Sequence, residues 1–137
     1  MEKQERSFIK RVCEGTIEQK IRIDYVIDRF SKTKVKKMKP LIRTLLRMAV
    51  YQILFMDAVP DSAVCNESVK LANKRGFGPL KGFVNGVLRS ISRGKDVIEY
   101  PDKTKDPIGY LSVMYSMPED IIKLWQLQYG EAQTEKM

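Results

Sequence analysis

The sequence predicts an all-α protein: an antiparallel bundle of about five helices, then a linker and one further helix. Three observations point there. Apolar residues recur at i, i+3, i+4 and i+7 in successive windows, the spacing that gathers them on one helical face. Pro40, Gly76 and Pro79 punctuate those windows where helices open or close. No series of alternating strands and hairpin turns occurs.

The first helix is expected from about Gln4 to Gln19, with Phe8, Ile9, Val12, Cys13, Thr16 and Ile17 on one face. A shorter second one carries Ile23, Val26, Ile27 and Phe30. Residues 31–39, SKTKVKKMK, read as a basic loop or frayed turn. Pro40 sits in the first turn of a third helix reaching about Met56. Its apolar residues, Leu41, Ile42, Leu45, Leu46, Ala49, Ile53 and Leu54, cover so wide an arc that this helix is expected at the centre.

The DAVPDS loop follows, and Asp61 or Ser62 is the expected N-cap of a fourth helix. That helix turns Val64, Cys65, Val69 and Ala72 inward and stops at Gly76. Pro79 starts the fifth, which ends near Gly94. Its stretch KGFVNGVLRSI, residues 81–91, has helical apolar spacing but carries Gly82, Asn85 and Gly86. A helix-interior glycine costs about 1 kcal/mol relative to alanine. Gly82, Gly86 and Ser90 lie four apart, which predicts a small-residue stripe that lets another backbone approach closely. Asn85 then either braces a neighbouring loop or faces a base. A nucleotide-binding glycine loop is excluded, because no strand precedes GFGPLKGFVNG and neither a dinucleotide fingerprint nor a P-loop is present.

Residues 95–115 are rich in Pro, Asp and Tyr, lack periodicity, and read as a surface linker between the bundle (1–94) and a final segment (116–137). Ser116-Met117-Pro118-Glu119 reads as a capping box for a last helix with Ile121, Leu124, Trp125 and Gln128 on one face.

Chemistry narrows the function. There is no histidine, which removes the commonest general base and most zinc sites. Cys13 and Cys65 lack metal-ligand spacing and are expected as buried free thiols. No apolar run approaches the ~18 residues of a membrane span, and the charged start MEKQERSFIKR is no signal peptide, so a cytoplasmic location is expected. Charge is strongly segregated. Residues 29–95 hold 15 basic side chains against three acids (Asp57, Asp61, Glu67), a net of +12 in a chain of net +8. A basic block of this kind points to a polyanion partner. Glu67, a lone carboxylate among cations, is expected to brace the neighbouring helix as a salt-bridge partner.

KGFVNGVLRSI resembles the last-helix signature of the NusB family. PLIRTLLRMAVYQILFM (40–56) resembles that family's central helix, and VPDSAVCNESVKLANKRG (59–76) its Asn-Glu block. The flanks, 6–27 and 116–137, are similar to the NusB-like domain fused to ribosomal RNA cytosine-C5 methyltransferases of the Sun/RsmB type, the second flank to the entry helix of the catalytic region.

The resemblance implies a NusB-like fold, read as an N-terminal fragment. It implies an RNA-binding accessory domain that positions a 16S ribosomal RNA methyltransferase on its substrate. The alternative is a protein–protein or dimerisation module. Implied partners are ribosomal RNA, the methyltransferase domain of the parent chain, and a second copy or a ribosomal protein, with no membrane.

Two departures stand out. Nothing corresponds to the two additional opening helices and Arg-rich segment of the family. No glycine-rich S-adenosylmethionine loop and no Pro-Cys nucleophile occur, so the chain itself is not expected to be an enzyme or to hold a cofactor. S-adenosylmethionine is assigned to the parent enzyme.

The residues matching the motifs name the expected RNA contacts. Arg43 and Arg47 fork onto phosphates, and Tyr51 stacks or hydrogen-bonds. Phe83 and Asn85 touch a base with Lys81 and Arg89 beside them. Lys36, Lys37, Lys39, Lys74 and Arg75 complete the cationic surface. Each has a plainer role: Arg43 and Arg47 as a solvated face, Tyr51 and Phe83 as core.

Overall fold

The computed structural model describes residues 3–129, with side chains through Leu124. It contains seven α-helices: α1 (Lys3–Glu18), α2 (Lys20–Phe30), α3 (Pro40–Phe55), α4 (Asp61–Lys74), α5 (Lys81–Gly94), α6 (Pro107–Tyr115) and α7 (Glu119–Tyr129). Among the described residues there is no strand.

The wide apolar arc of α3 makes it the central helix, in contact with α1, α2, α4 and α5. It buries Ile42, Leu45, Leu46, Ala49, Val50 and Ile53. Around it close Ile23, Val26 and Ile27 of α2, Val64, Cys65 and Ala72 of α4, and Val84, Val87, Leu88 and Ile91 of α5. Truncating a fully buried member such as Leu46 to alanine costs about 2–5 kcal/mol. The short 56–60 connection makes α4 antiparallel to α3. Gly76, at φ +87°, turns the chain so that α5 runs back along α4.

α1 is rotated from its expected face. Val12, Gly15 and Thr16 are buried, whereas Ile9 and Ile17 are 44% and 76% exposed. The cause is the Gly15–Tyr51 contact: a Cβ added at Gly15 would fall inside the Tyr51 ring, so the α1 backbone itself packs on α3 there. This rotation leaves Cys13 exposed, correcting its expected burial, while Cys65 is buried as expected.

The α2–α3 segment is not frayed. Val35 and Met38 are buried, a 3₁₀ turn spans Val35–Lys37, and the Val35 N–H donates to Asp28 Oδ1 at 2.8 Å. The start of α4 also differs from expectation. Pro60 occupies the cap position and its carbonyl accepts from Ala63 and Val64 N–H. The Asp61 carboxylate instead accepts from Ser92 Oγ at 2.7 Å and Lys95 Nζ at 2.9 Å, tying the start of α4 to the end of α5. A 3₁₀ turn through Pro79 precedes α5. The expected close packing on Gly82 and Gly86 is absent: a Cβ at either position meets nothing within 4 Å.

The stretch 95–115 holds a helix the periodicity does not show. α6 (PIGYLSVMY) is apolar on every side and so offers no contrast between faces. Asp106 caps it, accepting from Gly109 N–H, and Leu111, Ser112 and Val113 are buried. The segment straps onto α2. Arg22 lies between the Phe55 and Tyr100 rings, 5.1 and 5.0 Å from their centroids, and Tyr25 stacks on Tyr100 at 5.6 Å. The Tyr25 hydroxyl donates to the Glu99 carbonyl at 2.6 Å.

Ser116 does not cap α7. It ends α6 in the left-handed region (φ 49°), and its Oγ accepts from the Arg22 N–H. α7 opens on the Pro118 carbonyl, buries Ile122 and leaves Leu124 49% exposed, so its packed face differs from the expected one. The Trp125 and Gln128 side chains and residues 130–137 lie outside the described residues.

Candidate nucleic-acid interface

A cation can neutralise a phosphate only if the fold has not already paired or buried it. Sorting the basic block by that test separates three groups.

The first, Arg43 and Arg47, is turned inward, and so is Tyr51, the third residue expected from α3. Arg47 is 18% exposed and holds Asp24 from Nε and Nη2 at 2.8 and 2.9 Å. Arg43 reaches back to the preceding loop, donating from Nε to the Val35 carbonyl at 3.0 Å. Its Nη2 donates to the carbonyls of Met38 (3.0 Å) and Lys36 (3.4 Å). Tyr51 is 9% exposed, stacks on Phe55 at 5.4 Å and is backed by Gly15, so little of its ring is open to a base.

The second group forms ion pairs: Arg29 with Glu99, Lys70 with Glu67, and Lys95 with Asp61. Glu67 thus pairs within its own helix, with Lys70 one turn on, rather than bracing a neighbouring helix as expected. At Asp61, burial raises the carboxyl pKa, but hydrogen bonds from Lys95 and Ser92 and the Lys95 charge outweigh it, holding the group below the usual carboxylate range. The same hydrogen bond from Lys95 to Asp61 raises the lysine.

The third group is exposed: Lys32, Lys34, Lys36, Lys37, Lys39, Lys74, Arg75, Lys81 and Arg93. Most of it falls in two stretches of chain. Lys32, Lys34, Lys36, Lys37 and Lys39 lie between α2 and α3; Lys74, Arg75 and Lys81 flank the α4–α5 turn. Neither connecting segment contributes a carboxylate.

A polar seam runs between α4 and α5. Arg89 donates from Nη2 to Asn66 Oδ1 at 2.9 Å and from Nε to Asn85 Oδ1 at 3.2 Å. Asn85 therefore braces a neighbouring side chain rather than a loop. Beside it, Gly82 and Gly86 leave the α5 backbone uncovered. Phe83 is half-buried against the core. Asn66 is not among the expected contacts; its signals are its place in the Asn-Glu block and a turn before Lys70 on α4.

An apolar groove of about 320 Å³ lies elsewhere, among α1, α3 and α4, lined by Phe8, Leu45, Met48, Val59, Val64 and Leu71. Among the described residues no cluster of metal-ligating side chains occurs, and no helix is long and apolar enough to cross a membrane.

The NusB family model matches residues 1–93, ending at α5. A probable ribosomal RNA small subunit methyltransferase B of Bacillus subtilis (strain 168) is 37% identical over 134 residues, covering 98% of this chain and 29% of the relative. A second protein of that description, from Synechocystis, is 29% identical over 97% of the chain and 29% of its own length. The transcription antitermination protein NusB of Dictyoglomus thermophilum is 34% identical over 97 residues, 70% of this chain and 67% of the relative. The chain thus spans under a third of the methyltransferase relatives and about two-thirds of the antitermination relative. No solved structure matches it.

Proposed function

The chain belongs to the NusB family, and from that premise we propose that it is an RNA-binding domain that presents ribosomal RNA to a cytosine-C5 methyltransferase region. The observation carrying this reading is the set of exposed cations on two segments that have no acid of their own: Lys36, Lys37 and Lys39 before α3, and Lys74, Arg75 and Lys81 around the α4–α5 turn. Binding is mainly to phosphates, with counterions released as contacts form. The seam of Asn66, Asn85 and Arg89 supplies groups that reach bases in single-stranded or loop RNA. The descriptions of the relatives support the ribosomal target, and their match extends across α6 and α7, beyond the NusB family model.

The side chains here do not fit methyl transfer. Cys65 is fully buried, and burial pushes its thiol up, away from the thiolate a nucleophile needs. Cys13 sits on the open flank of α1. S-adenosylmethionine chemistry belongs to a catalytic region of the kind the longer relatives are named for.

Titration of the chain with 16S ribosomal RNA fragments at several salt concentrations tests the proposal. With about five phosphates neutralised, log affinity falls against log salt with a slope near −3.5, at roughly −0.7 per phosphate. Salt-independent binding, or none at low salt, overturns it.

The apolar groove favours a second reading, a protein-docking module. Light scattering over a range of concentrations separates the two: a monomer that shifts RNA supports the first, a dimer indifferent to RNA the second.

A further inference from the structure

We propose that Arg43 is a positioning residue for RNA. It organises the lysine-bearing loop before α3 so that Lys36, Lys37 and Lys39 meet phosphates in a set geometry, while Arg43 itself stays off the RNA. The inference rests on the RNA-binding reading above and assigns a part within it.

The loop holds five lysines between residues 32 and 39, all exposed. Like charges this dense repel, and an untethered segment would spread them. The fold prevents that from three directions. Val35 and Met38, 4% and 6% exposed, anchor the segment in the core and turn the intervening lysines outward. Asp28 Oδ1 takes the Val35 N–H, and Ser31 bridges to Thr33. Arg43 then gathers the carbonyls of Val35, Lys36 and Met38, three acceptors converging on one guanidinium.

These carbonyls flank the lysine-bearing backbone, so the guanidinium holds the main chain from which Lys36, Lys37 and Lys39 project. The rigid, planar guanidinium spreads its donors over three separate carbonyls, whereas a lysine ammonium concentrates its three donors at one point on a flexible stem. A preordered cationic segment binds more tightly than a mobile one of equal charge, because less freedom is lost on association.

The test uses Arg43→Lys and Arg43→Gln in the whole chain, with RNA affinity read across salt and amide exchange read at Lys37 and Met38. Both variants are expected to lose affinity by a similar factor, about tenfold, with the salt slope unchanged and exchange at those amides accelerated. Rescue by Lys, together with a slope reduced by about 0.7 in Gln, would make Arg43 a phosphate ligand and overturn the proposal. Unchanged affinity despite a loosened loop overturns it as well.

The exposed pair Lys36→Gln and Lys37→Gln, which places no demand on folding, should reduce the slope by about 1.4. An unchanged slope there removes the loop from the interface and the proposal with it. Failure of the RNA reading itself shows separately, in the unsubstituted chain ignoring RNA at low salt.

Discussion

Arg47 grips Asp24 with two parallel hydrogen bonds, 2.8 Å from Nε and 2.9 Å from Nη2, joining the middle of α3 to α2 across 23 residues of sequence. The pair is 18% and 25% exposed, enough desolvation to give the contact weight. Arg47→Ala leaves Asp24 half-buried without its partner, and a loss of about 1–3 kcal/mol is expected in urea unfolding. The salt slope of RNA binding should stay as in the parent chain. A reduced slope with full stability would instead make Arg47 a phosphate contact.

Glycines in this chain have opposite signs under the same substitution. Gly15→Ala places a methyl group inside the Tyr51 ring and should destabilise by about 1–3 kcal/mol. Gly82→Ala and Gly86→Ala meet open space, and each should stabilise by up to about 1 kcal/mol through helix propensity alone. Thermal melts of the three variants check the contrast. RNA affinity measured on the second pair adds a functional readout: if RNA closes on the bare α5 backbone, the stabilised proteins bind more weakly.

The strap after α5 depends on Arg22. Arg22→Ala removes both ring contacts, each worth about 0.5–1 kcal/mol at a partly exposed site. Amide exchange over 107–115 should accelerate while α3 and α5 keep their protection. Uniform acceleration throughout would show instead that strap and bundle open as one unit.

Stability should also bend with pH at the Asp61–Lys95 pair. The folded carboxyl titrates below its ordinary value of 3.8, so its contribution is present above that value and fades as pH falls through the folded pKa. Lys95 is raised from 10.5, so its contribution is present below that pH and disappears as pH rises through the folded pKa. Asp61→Asn should weaken the acid-side dependence in urea unfolding measured from pH 2 to 7. An unchanged acid limb would place the transition on other carboxylates.

Helix positions were readable because their causes are local. The three- and four-residue spacing of Ile23, Val26 and Ile27, or of Val84, Val87, Leu88 and Ile91, is a property of a few consecutive turns. Gly76 and Pro79 mark the turn between α4 and α5 in the same way. The three family blocks were legible for the same reason, being short and contiguous. α6 escaped because uniform apolarity hides its period, and Ser116 because its partner, Arg22, lies 94 residues away. The candidate site divided along this line. Lys36, Lys37, Lys39, Lys74, Arg75 and Lys81 belong to a charge imbalance visible in the sequence, and they are exposed. Arg43, Arg47 and Tyr51 match the family's central-helix motif, and their side chains are claimed by neighbours that a motif cannot reveal.

The linear chain determined that α1 to α5 form, which residues of α2 to α5 face the core, and that its middle carries an unbalanced positive charge. Folding decided how α1 is rotated, that Gly82 and Gly86 face solvent, and which cations stay unpaired. Periodicity and composition act over a turn or two. Pairing depends on which side chains meet after distant segments pack, and only the assembled bundle brings them together.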